Sequence, residues 1–131
     1  IALSLVGSEM CIRDRLHDHI DIDKRLFLGG FSQGAALSLS MGLNNDMESD
    51  GIIAISGYVP SASKINIVDH SKDIYVAHGK NDTTISIETH EKSIRFLKKN
   101  NLSYTEYLDE CGHTISKAMI GSLSEWMYNR L

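Results

Sequence analysis

The chain has 131 residues, and its 13 Lys and Arg against 17 Asp and Glu give a net charge of −4 with His neutral. This length fits one domain but is short for a complete enzyme of the α/β class. Hydrophobic residues make up 42% of the sequence, which argues against disorder. The mild acidity and the absence of a run of Lys or Arg argue against nucleic-acid partners. No apolar stretch approaches the length of about 18 residues that a membrane span needs.

The amino-terminal segment has an unusual composition: residues 4–15 read SLVGSEMCIRDR and resemble the translation of a sequencing adapter joined to a truncated reading frame. We therefore expect residues 1–15 to be a non-native segment that carries no information about the fold. Residues 16–131 are then expected to form a partial domain. The alternative is an amphipathic helix over residues 10–16. Genomic DNA across this segment tests the expectation, since an unbroken frame encoding the same string would contradict it.

From residue 16 onward, short apolar runs alternate with segments of helical periodicity. Continuous apolar runs predict buried strands, and apolar residues recurring every three or four positions predict helices. The predicted strands are 25–31, 52–55, 74–77 and 104–108, and the predicted helices are 35–43, 86–100 and a last one from Ile115 to Met127. Strands separated by helices favour an α/β fold with a parallel, helix-covered sheet. The long connection 56–72 holds the single Pro, and connections of that length are usually functional or disordered.

The motif Gly-x-Ser-x-Gly occupies residues 30–34, between the first predicted strand and the first predicted helix. In a nucleophile elbow the Ser occupies a strained, sharp turn, and small neighbours let the strand and the helix approach each other. The small residues here are Gly29, Gly30, Gly34, Ala35 and Ala36. Ser32 would then lie at the start of the helix, where the backbone N–H of Gln33 is a candidate oxyanion donor. The alternative is a glycine-bounded turn with an incidental Ser.

A Ser nucleophile needs a base, and the base needs an acid to orient it. On a parallel sheet these partners are expected after the carboxyl ends of later strands, in the order Ser, acid, His. Asp82 follows the predicted strand 74–77, and His113 follows the predicted strand 104–108. Each residue alone is ordinary near a turn or a helix start, but together with Ser32 they predict a catalytic triad.

Other reactive side chains are weaker candidates. Asp109 and Glu110 are alternative acids, although they leave the strand too early, and the position of His78 suits a loop-shaping residue better than the base. Nothing in the spacing activates Cys111, which we expect to be a small buried residue. Cys11 and Cys111 lie too far apart for a disulfide framework, which favours a reducing compartment. The remaining His residues lack metal-ligand spacing, so no metal is expected: His17, His19, His70 and His90.

The segment 28–39 resembles the nucleophile segment of the phospholipase/carboxylesterase family of α/β hydrolases, which includes the acyl-protein thioesterases. Residues 53–60 resemble that family's next strand and the loop after it. His78-Gly79-x-x-Asp82 and Gly112-His113 are similar to its acid and base segments. The resemblance runs from about residue 23 to the end of the chain.

This resemblance implies the C-terminal half of an α/β-hydrolase fold and a serine hydrolase that cleaves esters or thioesters of acyl chains. It further implies a cytoplasmic enzyme without a cofactor, acting on a small-molecule ester or an acylated substrate. It also implies that Tyr58, Val59 and Pro60 border the acyl-binding channel, although without the resemblance these three are simply a turn leaving a strand.

The sequence departs from the family pattern at its amino terminus. The family has an amino-terminal half with the first strands and a loop that completes the oxyanion hole, and we expect nothing in residues 1–22 to supply them. A missing oxyanion donor costs about 10²–10³ in rate. The first predicted strand should also be an exposed edge. We therefore expect an esterase as the complete protein and a weak or inactive fragment here; another α/β hydrolase, such as a short-chain esterase or peptidase, and a non-catalytic remnant remain alternatives.

Overall fold

The computed structural model describes residues 2–4, 25–44, 46, 48–60 and 64–130. These residues form one five-stranded sheet with three helices, and every pair of neighbouring strands is parallel. In chain order the elements are β1 (Ala2–Ser4), β2 (Phe27–Phe31), α1 (Gln33–Leu43), β3 (Gly51–Ile55), β4 (Asp73–Gly79), α2 (Ile87–Lys99), β5 (Tyr104–Asp109) and α3 (Lys117–Tyr128). The strands lie side by side in that same order. The predicted α/β class with a parallel, helix-covered sheet is confirmed.

The sheet is covered on both faces because successive strand residues point to opposite sides. On one face α1 and α2 pack over a cluster that includes Ile52 and Val76. On the other face α3 packs over Phe27 and Tyr75. The Trp126 ring of α3 lies 5.7 Å from the Phe27 ring and 5.5 Å from the Tyr75 ring, measured between centroids. The two apolar layers therefore hold the strands rigidly below the edge where the site forms.

The starts of α2 and α3 are set by Ser side chains that accept backbone hydrogen bonds, whereas Ser32 before α1 makes no such bond with its side chain. Ser86 accepts from the N–H of Thr89 at the start of α2, and Ser116 accepts from the N–H of Met119 at the start of α3. Such caps satisfy N–H groups that have no acceptor within the helix. The prediction that Ile115 belongs to the last helix is wrong, because the helix begins after Ser116 and the Ile115 side chain is 43% exposed.

The amino-terminal edge of the sheet also differs from expectation. Ala2–Ser4 pairs in parallel with β2, so that Ala2 lies opposite Phe27 and Ser4 opposite Gly29. The expectations that residues 1–22 supply no strand and that β2 is an exposed edge are therefore wrong. The pairing covers residues 27–29 of β2, whose backbone groups would otherwise lie on an open edge. Residues 5–15, and with them most of the adapter-like string and the alternative helix, lie outside the described residues.

Candidate active site

The candidate nucleophile lies at the turn between β2 and α1. Ser32 has φ 58° and ψ −115°, a backbone conformation that costs a non-glycine residue about 1–3 kcal/mol. Two hydrogen bonds hold it there: the N–H of Ser32 donates to the carbonyl of Ile55 at 2.9 Å, and its carbonyl accepts from the N–H of Ala36 at 3.1 Å. The strained turn is thus fixed by the neighbouring strand and by the first turn of the helix.

Glycines allow the close approach of strand, helix and loop around this turn. A Cβ atom at Gly30 would overlap the backbone carbonyl of Gly34, as the small-residue pattern of the motif predicts. A Cβ atom at Gly57, in the loop after β3, would overlap the Cβ of Ala35 on α1. The second requirement could not be read from the motif, because Gly57 lies more than twenty residues further along the chain.

Of the three predicted triad residues, His113 lies within hydrogen-bonding distance of both Ser32 and Asp82. Nε2 of His113 lies 3.1 Å from Oγ of Ser32, and Nδ1 of His113 lies 2.7 Å from Oδ2 of Asp82. Because a carboxylate only accepts, Nδ1 is assigned the proton and Nε2 is left to accept from the Ser32 hydroxyl. The arrangement has the connectivity by which a His can deprotonate a Ser.

The carboxylate of Asp82 is fully buried yet well supplied with donors. Its Oδ1 accepts the backbone N–H groups of Thr84 and Ile85, each at 2.8 Å. Burial by itself would raise the pKa of Asp82, but the hydrogen bonds from His113 and from these two N–H groups outweigh burial and hold the pKa below its ordinary value. Asp82 is therefore ionised at neutral pH and can stabilise a positive charge on His113.

Backbone hydrogen bonds join the loop that carries Asp82 to the loop that carries His113. The N–H of Lys80 donates to the carbonyl of Asp109 at 2.8 Å, and the N–H of Asn81 donates to the carbonyl of Cys111 at 3.0 Å. The Phe31 ring at the end of β2 packs against the His113 ring with centroids 4.8 Å apart. The imidazole is therefore placed by the main chain of its own loop and by the strand that leads to Ser32.

The weaker candidates are engaged elsewhere. Oδ1 of Asp109 accepts the N–H of Glu110, and Oε1 of Glu110 lies 3.2 Å from Nζ of Lys80. Cys111 is half-buried rather than fully buried, and burial together with the charge of Asp109 raises the pKa of its thiol. A thiol with a raised pKa is a poor nucleophile at neutral pH.

A cleft of about 370 Å³ opens beside the nucleophile turn. It is lined by Gln33, Ala36, Leu37, Ser40, Asn44, Pro60, Lys64 and Ile65. Gln33 is the first residue of α1, so its backbone N–H has no acceptor within the helix. Of the three predicted substrate-binding residues, Pro60 lines this cleft, whereas Tyr58 and Val59 line a separate small cavity together with His90.

Two polar residues near the site were not predicted. His90 is 3% exposed, and its Nε2 lies 2.6 Å from Oε2 of Glu106 on β5. A signal for His90 existed, because it precedes the buried Ile94 by four positions and therefore shares a helix face with it. Glu106 has no comparable signal in the sequence, since its contact with His90 joins β5 to α2.

Within the described part of the chain, no group of three or more His, Cys, Asp or Glu side chains could hold a metal ion. His70 is exposed, and His17 and His19 lie outside the described residues. None of the described helices is long and apolar enough to cross a membrane.

The parallel sheet, its helix layers and the turn after β2 define the fold of an α/β hydrolase. The chain belongs to the phospholipase/carboxylesterase family, whose sequence model matches residues 6–131. The predicted resemblance is therefore confirmed. The match begins inside the adapter-like segment, for which a non-native origin stays a prediction.

Individual relatives agree with this family. Acyl-protein thioesterase 1 of Yarrowia lipolytica is 31% identical over 111 residues, which cover 79% of this chain and 48% of that protein. Acyl-protein thioesterase 1 of a Cryptococcus neoformans strain is 38% identical over 79 residues, covering 57% of this chain and 33% of that protein. The chain thus spans about half, or less, of the length of these relatives.

Solved structures show the same fold. The crystal structure of esterase PE8 superimposes with a TM-score of 0.75 at 25% identity, covering 81% of this chain and 50% of that one. Acyl-protein thioesterase 2 of Zea mays superimposes with a TM-score of 0.77 at 20% identity, covering 91% of this chain and 62% of that one. The partial coverage agrees with a partial α/β-hydrolase domain.

Proposed function

We propose that the complete protein is a serine hydrolase that cleaves carboxylic esters or acyl thioesters through Ser32, His113 and Asp82. The family supports a hydrolase of the esterase or thioesterase kind. The observation that carries the finer proposal is the hydrogen-bonded path from the hydroxyl of Ser32 through both nitrogens of His113 to the carboxylate of Asp82. We further propose a cytoplasmic enzyme that needs no cofactor.

In this mechanism Nε2 of His113 takes the proton of Ser32 as its Oγ attacks the acyl carbonyl. Asp82 stabilises the imidazolium, and the N–H of Gln33 donates to the oxyanion of the tetrahedral intermediate. His113 then gives the proton to the departing alcohol or thiol. In the second half of the reaction His113 activates a water molecule, which hydrolyses the acyl-enzyme and releases Ser32.

The substrate proposed is a small-molecule ester or an acylated substrate. The cleft beside Gln33 has apolar lining from Leu37, Pro60 and Ile65, which suits an acyl chain whose carbonyl lies at the nucleophile. Tyr58 and Val59 are proposed to support the loop that carries Pro60. The N–H of Val59 donates to Oγ of Ser93 at 2.9 Å, which anchors this loop to α2.

Covalent labelling with a fluorophosphonate probe, followed by mass mapping of the adduct, tests the proposal. The expected adduct forms on Ser32, is abolished in Ser32→Ala and is strongly slowed in His113→Ala. Ser124→Ala, an exposed Ser on α3, is the matched control and should label as the unaltered chain does. If this chain reacts too slowly with the probe for its labelling to be measured, the same variants are compared in the complete protein. Labelling of Ser32 that does not depend on His113 would contradict the triad.

A further inference from the structure

A second group of polar residues adjoins the carboxylate of Asp82. His78, on β4, has a fully buried side chain whose Nε2 lies 2.7 Å from the carbonyl of Ile85 and 3.6 Å from Oδ2 of Asp82. The N–H of the same Ile85 donates to Oδ1 of Asp82. His78 therefore holds, through one peptide group, the turn that supplies donors to the carboxylate, and its ring also lies against that carboxylate.

The contacts of His78 specify one tautomer. A carbonyl oxygen only accepts hydrogen bonds, so the contact with Ile85 places the ring proton on Nε2. Nδ1 is buried and has no hydrogen-bond partner among the described residues. A proton on Nδ1 would be an unsatisfied buried donor, which costs about 1–3 kcal/mol. The surroundings thus fit the tautomer that presents the Nε2–H of His78 to the Asp82 turn.

On its other side, the His78 ring is supported by residues of α2 and β5. The His90 ring stacks on the His78 ring with centroids 4.8 Å apart and an interplanar angle of 29°. Nε2 of His90 donates to the carboxylate of Glu106 at 2.6 Å. Burial lowers the pKa of His90 despite the opposing effect of Glu106, so the stacked partner is neutral at neutral pH. The titratable groups that face this stack are Asp82, Glu106 and the more distant Glu91.

We propose that His78 is a positioning residue for Asp82: its Nε2–H fixes the turn at Ile85 and thereby the carboxylate that orients His113. This inference rests on the proposed function, in which Asp82 is the orienting acid. His78 itself contacts neither Ser32 nor the space where the acyl carbonyl reacts. Its effect on the reaction should therefore pass entirely through the alignment of Asp82 with the imidazole of His113.

The test compares His78→Gln with His78→Met in the chain as it exists. Gln can keep an N–H at the Nε2 position, whereas Met has a similar length and volume without a donor. In the Met variant, poorer alignment of Asp82 should weaken the hydrogen bond that Nδ1–H of His113 donates to Asp82 and move the resonance of that proton, followed by ¹H NMR, to higher field. Fluorophosphonate labelling of Ser32 should slow by about 10- to 100-fold. The Gln variant should stay close to the unaltered chain in both measurements.

The outcomes separate positioning from packing. A purely structural role would lower the melting temperature of both variants without moving the Nδ1–H resonance of His113, and equal resonance positions in the folded Gln and Met variants would overturn the proposal. If neither variant folds, ¹⁵N shifts of His78 in the unaltered protein decide, since a proton on Nδ1 overturns it and a proton on Nε2 supports it. Absence of labelling in the unaltered chain counts against its activity, while the Nδ1–H resonance of His113 still tests the role of His78.

Discussion

At the scale of single residues, the carboxylate of Asp82 is the point on which the polar contacts of the site converge. His113 binds one oxygen, and two backbone N–H groups bind the other. An Asn in this place would carry no charge, and its NH₂ group could donate to Nδ1, which favours the wrong tautomer of His113.

Asp82→Asn is therefore expected to slow the labelling of Ser32 by about 10⁴-fold while leaving the chain folded. The measurement is the second-order rate constant with a fluorophosphonate probe. Asp109→Asn is the matched control, because the Asp109 carboxylate accepts only from a neighbouring backbone N–H in the described contacts. A large effect of Asp109→Asn together with a small effect of Asp82→Asn would mean that Asp109, and not Asp82, is the acid that orients His113.

His90 gives the fold a pH dependence with a definite sign. Its pKa is lowered in the folded chain, chiefly by burial, so below about pH 6.5 the unfolded chain binds the proton more readily. The contribution of His90 to the free energy of unfolding is therefore fully present above that pH, and it is lost as the pH falls through the folded-state pKa of His90.

His90→Gln, which keeps a donor for Glu106 but does not titrate, should flatten the decline of the melting temperature on acidification below about pH 6.5. Thermal unfolding at a series of pH values provides the measurement. His70→Gln changes an exposed His and serves as the control, with the decline expected to persist. An unchanged decline in His90→Gln would show that another group is responsible.

The sequence allowed Ser32, Asp82 and His113 to be predicted because each has a local signal: a glycine-bounded turn or a position just after a predicted strand. The structure brings all three together. The pair of His90 and Glu106 was missed because it depends on how α2 packs beside β5. Such a contact is set by tertiary packing, which a single sequence does not display.

At the scale of elements, the nucleophile turn depends on how closely the loop after β3 approaches α1. Gly57→Ala places a methyl group against Ala35 and should lower the free energy of unfolding by about 1–3 kcal/mol. Gly121→Ala, on α3 with no atom within 4 Å of the added methyl, is the matched control and should be neutral or stabilising by up to about 1 kcal/mol. Urea unfolding measures both, and equal effects would refute the close approach.

Element boundaries follow the sequence where apolar pattern and capping agree. α2 was predicted as 86–100 and is observed as Ile87–Lys99, because Ser86 caps its start. The start of α3 was misjudged because Ile115 continues the apolar spacing while Ser116 supplies the cap. β1 could not be predicted, since three residues show no reliable period and their pairing with β2 is a long-range contact.

At the scale of the whole molecule, the chain spans about half, or less, of the length of its relatives in the comparisons. In the proposed mechanism the N–H of Gln33 is one oxyanion donor, and a second is proposed to come from the amino-terminal half of the family fold. Turnover of an aryl ester by this chain should therefore be about 10²–10³ slower than by the complete protein. Steady-state kinetics on both, each with its Ser32→Ala variant as the blank, measure the ratio. Equal turnover would mean that the described half supplies a complete oxyanion hole.

Two hydrogen bonds join the loop that carries Asp82 to the loop that carries His113, and both use main-chain atoms alone: Lys80 donates to Asp109, and Asn81 donates to Cys111. Every residue except Pro carries the required N–H. The side chains at these four positions can therefore change during evolution without altering how the loops of Asp82 and His113 are placed relative to each other. Gly79, which precedes Lys80, is constrained instead, because any side chain there would overlap the backbone carbonyls of Cys111 and Gly112. Sequence variability around this site therefore does not show how precisely Asp82 and His113 are positioned.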